Sequence, residues 1–203
     1  SSNELAPGKG KYRVFLTNSG AEAVEGAVKL ARHHTKKAHL ISFQGAFHGR
    51  TYAAISLTAS KVKYRAGFGP LLPEVTHLPY SNPYRGGDPI AAAKGVFERT
   101  LSPKDVAAVF MEPVLGEGGY VVPDPEFVRY WRSFCDEHGA LLVFDEIQCG
   151  LGLTGRRGEH APAERDDVPV HVRDGKHEPV AKPVVVTLAA LARDDHPGAR
   201  ETG

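Results

Sequence analysis

Three short runs constrain this chain most: His39-Leu-Ile-Ser-Phe43, Val106-Ala-Ala-Val-Phe-Met111 and Leu141-Leu-Val-Phe144 are apolar almost without a break. A strand with one wet face alternates polar and apolar side chains, whereas a continuously apolar strand is covered on both faces. Helical periodicity fills the intervals, so each strand reaches the next by a crossover and the strands run parallel. The class is α/β, three-layer, with a mostly parallel sheet. Val14-Phe-Leu-Thr17 reads as one further strand near the start.

The helices announce their ends. Ser19-Gly-Ala-Glu22 has the form of a capping box, in which the serine accepts from an early amide and the glutamate reaches back. Ala21, Val24, Val28 and Ala31 follow at helical spacing. Asp88-Pro89 and Asp124-Pro125 each set a capping aspartate before a proline at the first helical position. Ile90, Ala93, Phe97 and Leu101 mark the buried stripe of the first of these. Phe127, Trp131, Phe134, Cys135 and His138 mark the second, which Gly139 closes. Residues 60–87, rich in Gly, Pro and Tyr, read as a long irregular excursion of the sort that serves a site or an interface.

No internal repeat is present. Residues 156–183 carry many charges and prolines with no steady period, and such a segment cannot easily offset its ordering entropy. Val184 to Ala192 is apolar again, and the end is expected to fray. The expected division is a partial domain over 1–157 and a divergent, partly disordered tail over 158–203.

Composition narrows the partners. The net charge is +1 with scattered basic residues, which argues against nucleic acid or an anionic membrane surface. No apolar run is long enough to cross a bilayer, and the first residues lack the pattern of a signal peptide. Cys135 and Cys149 have neither metal nor redox spacing, so a reducing cytoplasm is the expected setting. His33, His34 and the tail histidines have no ligand spacing, and no metal is expected.

In open parallel sheets, ligands gather beyond the carboxyl ends of the strands. Four clusters fall there. Asn18-Ser19-Gly20-Ala21 opens a helix, whose first amides suit a phosphate or form a simple cap. Phe47-His48-Gly49 offers a ring for a planar group, or an ordinary loop histidine. Glu112-Pro-Val-Leu-Gly-Glu117-Gly-Gly119 suits substrate contacts or gating, or a flexible connection with solvated acids. Asp145-Glu-Ile-Gln148 ends a buried strand on a carboxylate, which is costly unless paired. A protonated ring nitrogen is one good partner; a metal or a helix end is another.

Together, Asn18-Ser-Gly-Ala-Glu-Ala23, Gly45-Ala-Phe-His-Gly-Arg-Thr51, Glu112-Pro-Val-Leu-Gly-Glu-Gly-Gly119 and Phe144-Asp-Glu-Ile-Gln-Cys-Gly-Leu-Gly-Leu-Thr-Gly155 resemble the class III pyridoxal-phosphate-dependent aminotransferases in order and approximate spacing. The resemblance runs from Lys11 to Gly155. Leu57-Thr-Ala-Ser-Lys61 and Phe68-Gly-Pro-Leu-Leu72 are similar to the branch that includes 4-aminobutyrate and acetylornithine aminotransferases. The resemblance implies an aspartate aminotransferase-like large domain, here incomplete, and pyridoxal 5'-phosphate as cofactor. It also implies transfer of an amino group from an amino acid, ω-amino acids included, to a 2-oxo acid, and a homodimer. It further implies that Ser19 and the amides of Gly20 and Ala21 hold the cofactor phosphate. Phe47 would stack on the ring and His48 flank it. Asp145 would pair with the ring nitrogen, Gln148 with the ring oxygen, and Glu117 would position or gate substrate.

One part of the family pattern is missing. Transamination needs a lysine that forms a Schiff base and then carries the proton. Val184-Val-Val-Thr-Leu-Ala-Ala-Leu-Ala192 resembles its context, but the chain reads directly from Ala189 to Ala190 where the lysine belongs. Lys176 and Lys182 lack the right flanking residues. Little or no transamination is therefore expected of this form. Two alternatives stand beside the enzyme reading. One is a non-catalytic scaffold or binding protein that keeps the fold. The other is a dinucleotide-binding enzyme, suggested by Gly150-Leu-Gly-Leu-Thr-Gly155 but without the amphipathic helix that the fingerprint requires.

Overall fold

The computed structural model describes residues 15–150 and a strand at Val184–Val186. Helix α1 (Gly20–Thr35) leads into strand β1 (His39–Phe43). A short helix α2 (Tyr52–Leu57) and a 3-10 turn (Val62–Tyr64) precede β2 (Val75–Leu78). Then come α3 (Pro89–Arg99), β3 (Val106–Met111), α4 (Pro125–His138), β4 (Leu141–Asp145) and β5 (Val184–Val186). The strands form one sheet in the order β2-β1-β3-β4-β5, and every neighbouring pair is parallel. From β1 the chain steps outward to β2, then returns past β1 to β3 on its other side. That reversal between β1 and β3 is a topological switch point, where a crevice opens at the carboxyl ends.

All six residues of β3 and all five of β4 are buried, as continuously apolar runs require. Alternate residues face opposite layers. Leu40, Phe110 and Val143 pack with Val24, Val28 and Ala31 of α1 and with Ala54 and Leu57 of α2. Ile41, Phe43, Val109 and Leu142 pack on the other side with Ala93 of α3 and with Phe127, Trp131 and Phe134 of α4. There the Phe43 ring meets Tyr80, Phe127 and Trp131 edge-on, the arrangement aromatic quadrupoles favour.

The helix starts follow their sequence signals. Ser19, Asp88 and Asp124 each accept a backbone amide of the following turn. Gly139 ends α4 with φ 62°, a left-handed conformation that costs glycine little. Lys37 completes that end from outside: its ammonium donates to the carbonyls of His138 and Gly139.

Two expectations are corrected. Phe15 to Thr17 form no strand; Phe15 and Leu16 are 80% and 76% exposed, and the Phe15 ring lies against α1 at Gly26, outside the sheet. An apolar run becomes a strand only where a neighbouring ladder receives it, and this one lies on the outer side of a helix. The excursion over 60–87 is not irregular throughout, since it contains β2. As an edge strand, β2 is only partly buried until Leu78, so it lacks the continuous apolar signature of its neighbours. Strand β5 lies within the 158–203 segment. The rest of that segment, the glycines Gly152 and Gly155, and Ala189-Ala190 lie outside the described residues. Among the described residues, no helix is long and apolar enough to cross a membrane.

Helix α2 starts without a side-chain cap of its own. Glu25 of α1 supplies one: its Oε1 accepts from the amides of Ala53 (2.8 Å) and Ala54 (3.3 Å) and from the Thr51 hydroxyl (2.6 Å). Glu25→Ala is therefore expected to lower stability by about 1–3 kcal/mol, the cost of stranding such donors. Denaturant unfolding measures it. A change within the ordinary surface range of about 0.5 kcal/mol would show that water replaces the cap.

Candidate functional site

Strand register sets the centre of the site. Phe110 of β3 pairs with Val143 of β4, and both face α1. Two residues further on, Glu112 and Asp145 emerge side by side on that same face, at the carboxyl ends of the two strands. Pro113 favours extended backbone at Glu112 and so carries the strand direction outward. Each carboxylate is only 4% exposed, so each must find its partners inside the protein.

Asp145 finds His48. The His48 ring lies 2.8 Å from Asp145 Oδ2 through Nδ1, and Asp145 Oδ1 accepts the Ile147 amide at 3.2 Å. An ionised carboxylate can only accept, so Nδ1 carries the proton. His48 is 1% exposed, its amide donates to the Thr58 hydroxyl, and its Nε2 has no hydrogen-bond partner among the described residues. Burial pushes the His48 pKa down. The bond to Asp145 and the charges of Asp145 and Glu112 outweigh that and leave it above its ordinary value.

The next residue brings in the helix start. Gly49 has φ 120°, and a Cβ added there would lie 2.8 Å from Ala21 Cβ and 3.0 Å from Ala21 Cα. Only glycine permits both that backbone angle and that approach. The opening of α1 therefore sits on the same face and end of the sheet as Asp145, joined to it through His48-Gly49. The serine half of the expected capping box is in place, Ser19 Oγ accepting from Glu22 N at 3.3 Å, while Glu22 reaches one residue past the cap and accepts from Asn18 N at 2.7 Å. The first helical amides, Gly20 and Ala21 among them, have no acceptor within a helix.

Phe47 is half-buried, its ring edge-on to Tyr64 at 5.3 Å. The Tyr64 hydroxyl donates to Glu117 at 3.1 Å, and Lys61 Nζ meets Glu117 at 2.8 Å. The bond from Lys61 holds the Glu117 carboxyl below its usual range. Gln148, exposed in the turn after β4, brings its Oε1 against Gly116, into the space that a Cβ there would need. Glu112 accepts from Phe47 N at 2.8 Å and from Gly116 N at 2.9 Å. Ser19, Gly20, Ala21, Phe47, His48, Glu117, Asp145 and Gln148 thus gather at one end of the sheet. The sequence placed Glu112 only within a substrate or gating cluster, not as a brace between loops, and gave Lys61, Tyr64 and Thr58 no working part. An acid placed before proline at the end of a fully apolar strand was a usable signal for Glu112. Nothing local marks Tyr64. Among the described residues, no His, Cys, Asp and Glu group could hold a metal ion.

The class-III aminotransferase family matches residues 2–166. A probable 4-aminobutyrate aminotransferase of Bacillus subtilis is 44% identical over 161 residues, covering 74% of this chain and 37% of its own length. A 2-aminoadipate transaminase of Pseudomonas putida is 46% identical over 146 residues, covering 70% of this chain and 35% of its own. Among solved structures, the ornithine aminotransferase of Toxoplasma gondii, described with partial occupancy of PLP at its active site, aligns with TM-score 0.62 at 33% identity. That alignment covers 77% of this chain and 36% of the other. The chain therefore spans a little over a third of the length of the curated relatives it matches.

Folding raises the His48 pKa, so its contribution to stability is complete below the unfolded value and is lost as pH rises through the folded one. Denaturant unfolding followed from below to well above the ordinary histidine range should show that decline. Asp145→Asn should remove most of the step, and an unchanged step in that variant would detach His48 from Asp145.

Proposed function

The chain belongs to the class-III aminotransferases, and we propose that residues 15–150 form the cofactor-facing part of a pyridoxal-phosphate site. The site serves transfer of an amino group from an amino acid, ω-amino acids included, to a 2-oxo acid. One observation carries this reading: the buried Asp145 carboxylate and the opening of α1 share one end of the sheet, linked through His48 and Gly49. Relatives named for 4-aminobutyrate and for 2-aminoadipate support an amino-acid donor.

The residues present suit the group. A phosphorylated pyridine needs an acceptor for its protonated nitrogen, a surface for its ring and donors for its phosphate. Asp145 retains lone pairs beyond those that His48 and Ile147 use. Bound there, the cofactor supplies an electron-accepting ring. Asp145 would hold a proton on the ring nitrogen, and His48 would keep Asp145 oriented. Ser19 and the amides of Gly20 and Ala21 would hold the phosphate. Phe47 would cover the ring, Gln148 would meet its oxygen, and Glu117, held by Lys61 and Tyr64, would meet substrate.

Because Ala189 is followed directly by Ala190, we read this form as taking up the cofactor reversibly and transaminating little. In the longer proteins of the family, a homodimer would complete the site. Two buried thiols, Cys135 and Cys149, neither of them in a disulfide, support a reducing cytoplasm.

Titration of the full chain with pyridoxal phosphate, followed by its near-visible absorbance, tests the reading. Saturable binding is expected, weakened about tenfold or more by Asp145→Ala, as loss of a charge-assisted hydrogen bond implies. A wild-type chain that does not bind overturns the cofactor assignment. Borohydride treatment and peptide mapping should label no single lysine; one specific labelled lysine would overturn the reversible reading.

A further inference from the structure

We infer that Glu112 is a positioning residue of this site: its one buried carboxylate pins both the loop that carries Phe47 and the turn that carries Glu117 to the end of β3. The inference rests on the reading of Phe47 and Glu117 as site residues.

The two carboxylate oxygens are divided between two loops. Oε1 accepts the Phe47 amide from the loop after β1, at 2.8 Å. Oε2 accepts the Gly116 amide at 2.9 Å, at the start of the glycine turn that leads to Glu117. That turn closes on itself through reciprocal bonds between Leu115 and Val121 and through the Gly116 carbonyl, which accepts from Gly119 and Tyr120. Glu112 therefore fixes a small preformed unit rather than a loose segment. The backbone of Glu112 is fastened in turn, since the buried Tyr80 hydroxyl donates to its carbonyl at 2.7 Å. The clamp lies across β1 and β3, the strands that flank the switch point.

The chemistry demands a carboxylate. Its two acceptor oxygens serve two N–H groups at once, and charge-assisted bonds of this kind are about twice as strong as neutral ones. Glutamine has one acceptor oxygen and would turn an NH2 group toward the second amide. Burial pushes the Glu112 pKa up, while the His48 charge and the two amides hold it back. The carboxylate thus stays useful only while those partners remain.

Amide hydrogen exchange on the full chain, read by NMR, decides the matter. In the wild type, the Phe47 and Gly116 amides should exchange far more slowly than open loop amides. Glu112→Gln should speed one of the two by about tenfold or more and Glu112→Leu both, tenfold being the loss of about 1.4 kcal/mol. The Ile41 and Val143 amides should hold their rates. Pyridoxal phosphate should bind severalfold more weakly to each variant. Wild-type Phe47 and Gly116 amides that exchange like open loop, or rates unchanged in Glu112→Leu, would overturn the inference. The wild-type rates decide it even if neither variant folds. A wild-type chain that fails to bind pyridoxal phosphate counts against the cofactor reading, while the exchange rates still judge Glu112.

Discussion

A carboxylate at the tip of a strand covered on both faces has no water to turn to, and the structure is arranged around that fact. Asp145 and Glu112 end adjacent parallel strands on one face, each 4% exposed. Nearby amides alone do not satisfy them. Asp145 draws in His48 from the far side of β3, and Glu112 draws in the amides of Phe47 and Gly116. Two buried acids thereby dictate where two loops must lie, because leaving either without partners would cost several kcal/mol.

The same few residues tie those loops to the helix layer. His48 follows Phe47 and precedes Gly49, so three neighbouring positions reach three parts of the fold. The Phe47 amide meets β3, the His48 ring meets β4, and the Gly49 backbone presses on the start of α1. Glu25 adds a second tie between α1 and the α2 that follows this loop. A shift of the helix start would be felt at Asp145, which is the mechanical condition for holding a ring and a phosphate in fixed relation. Membership of the class-III aminotransferases agrees with this economy, since the task of such a site is to orient a cofactor whose own electronics carry the chemistry.

Glu117 belongs to a more exposed subcluster. It has Lys61 and Tyr64 as partners, and Tyr64 also leans on Phe47. A surface pair of this kind contributes little to stability. In the proposed function its weight would lie in placing a carboxylate beside the loop that carries Phe47, where a substrate group would compete for it.

The sequence by itself determined the class of fold, three of the strands, the starts of three long helices and the end of α4. These depend on burial patterns and caps confined to a few neighbouring residues. It also marked the four clusters, three of them beyond strand ends and one at the start of α1, because glycines and acids stand out against apolar runs. Tertiary structure alone decided that Phe15 lies against α1 and, with Leu16, outside any ladder, and that Val75–Leu78 pairs at the edge of the sheet. It alone decided that His48 turns inward to Asp145, 97 positions away in the chain, and that Glu112 serves two loops. Pairing across such separations is fixed by which strands become neighbours, and no local spacing encodes that choice.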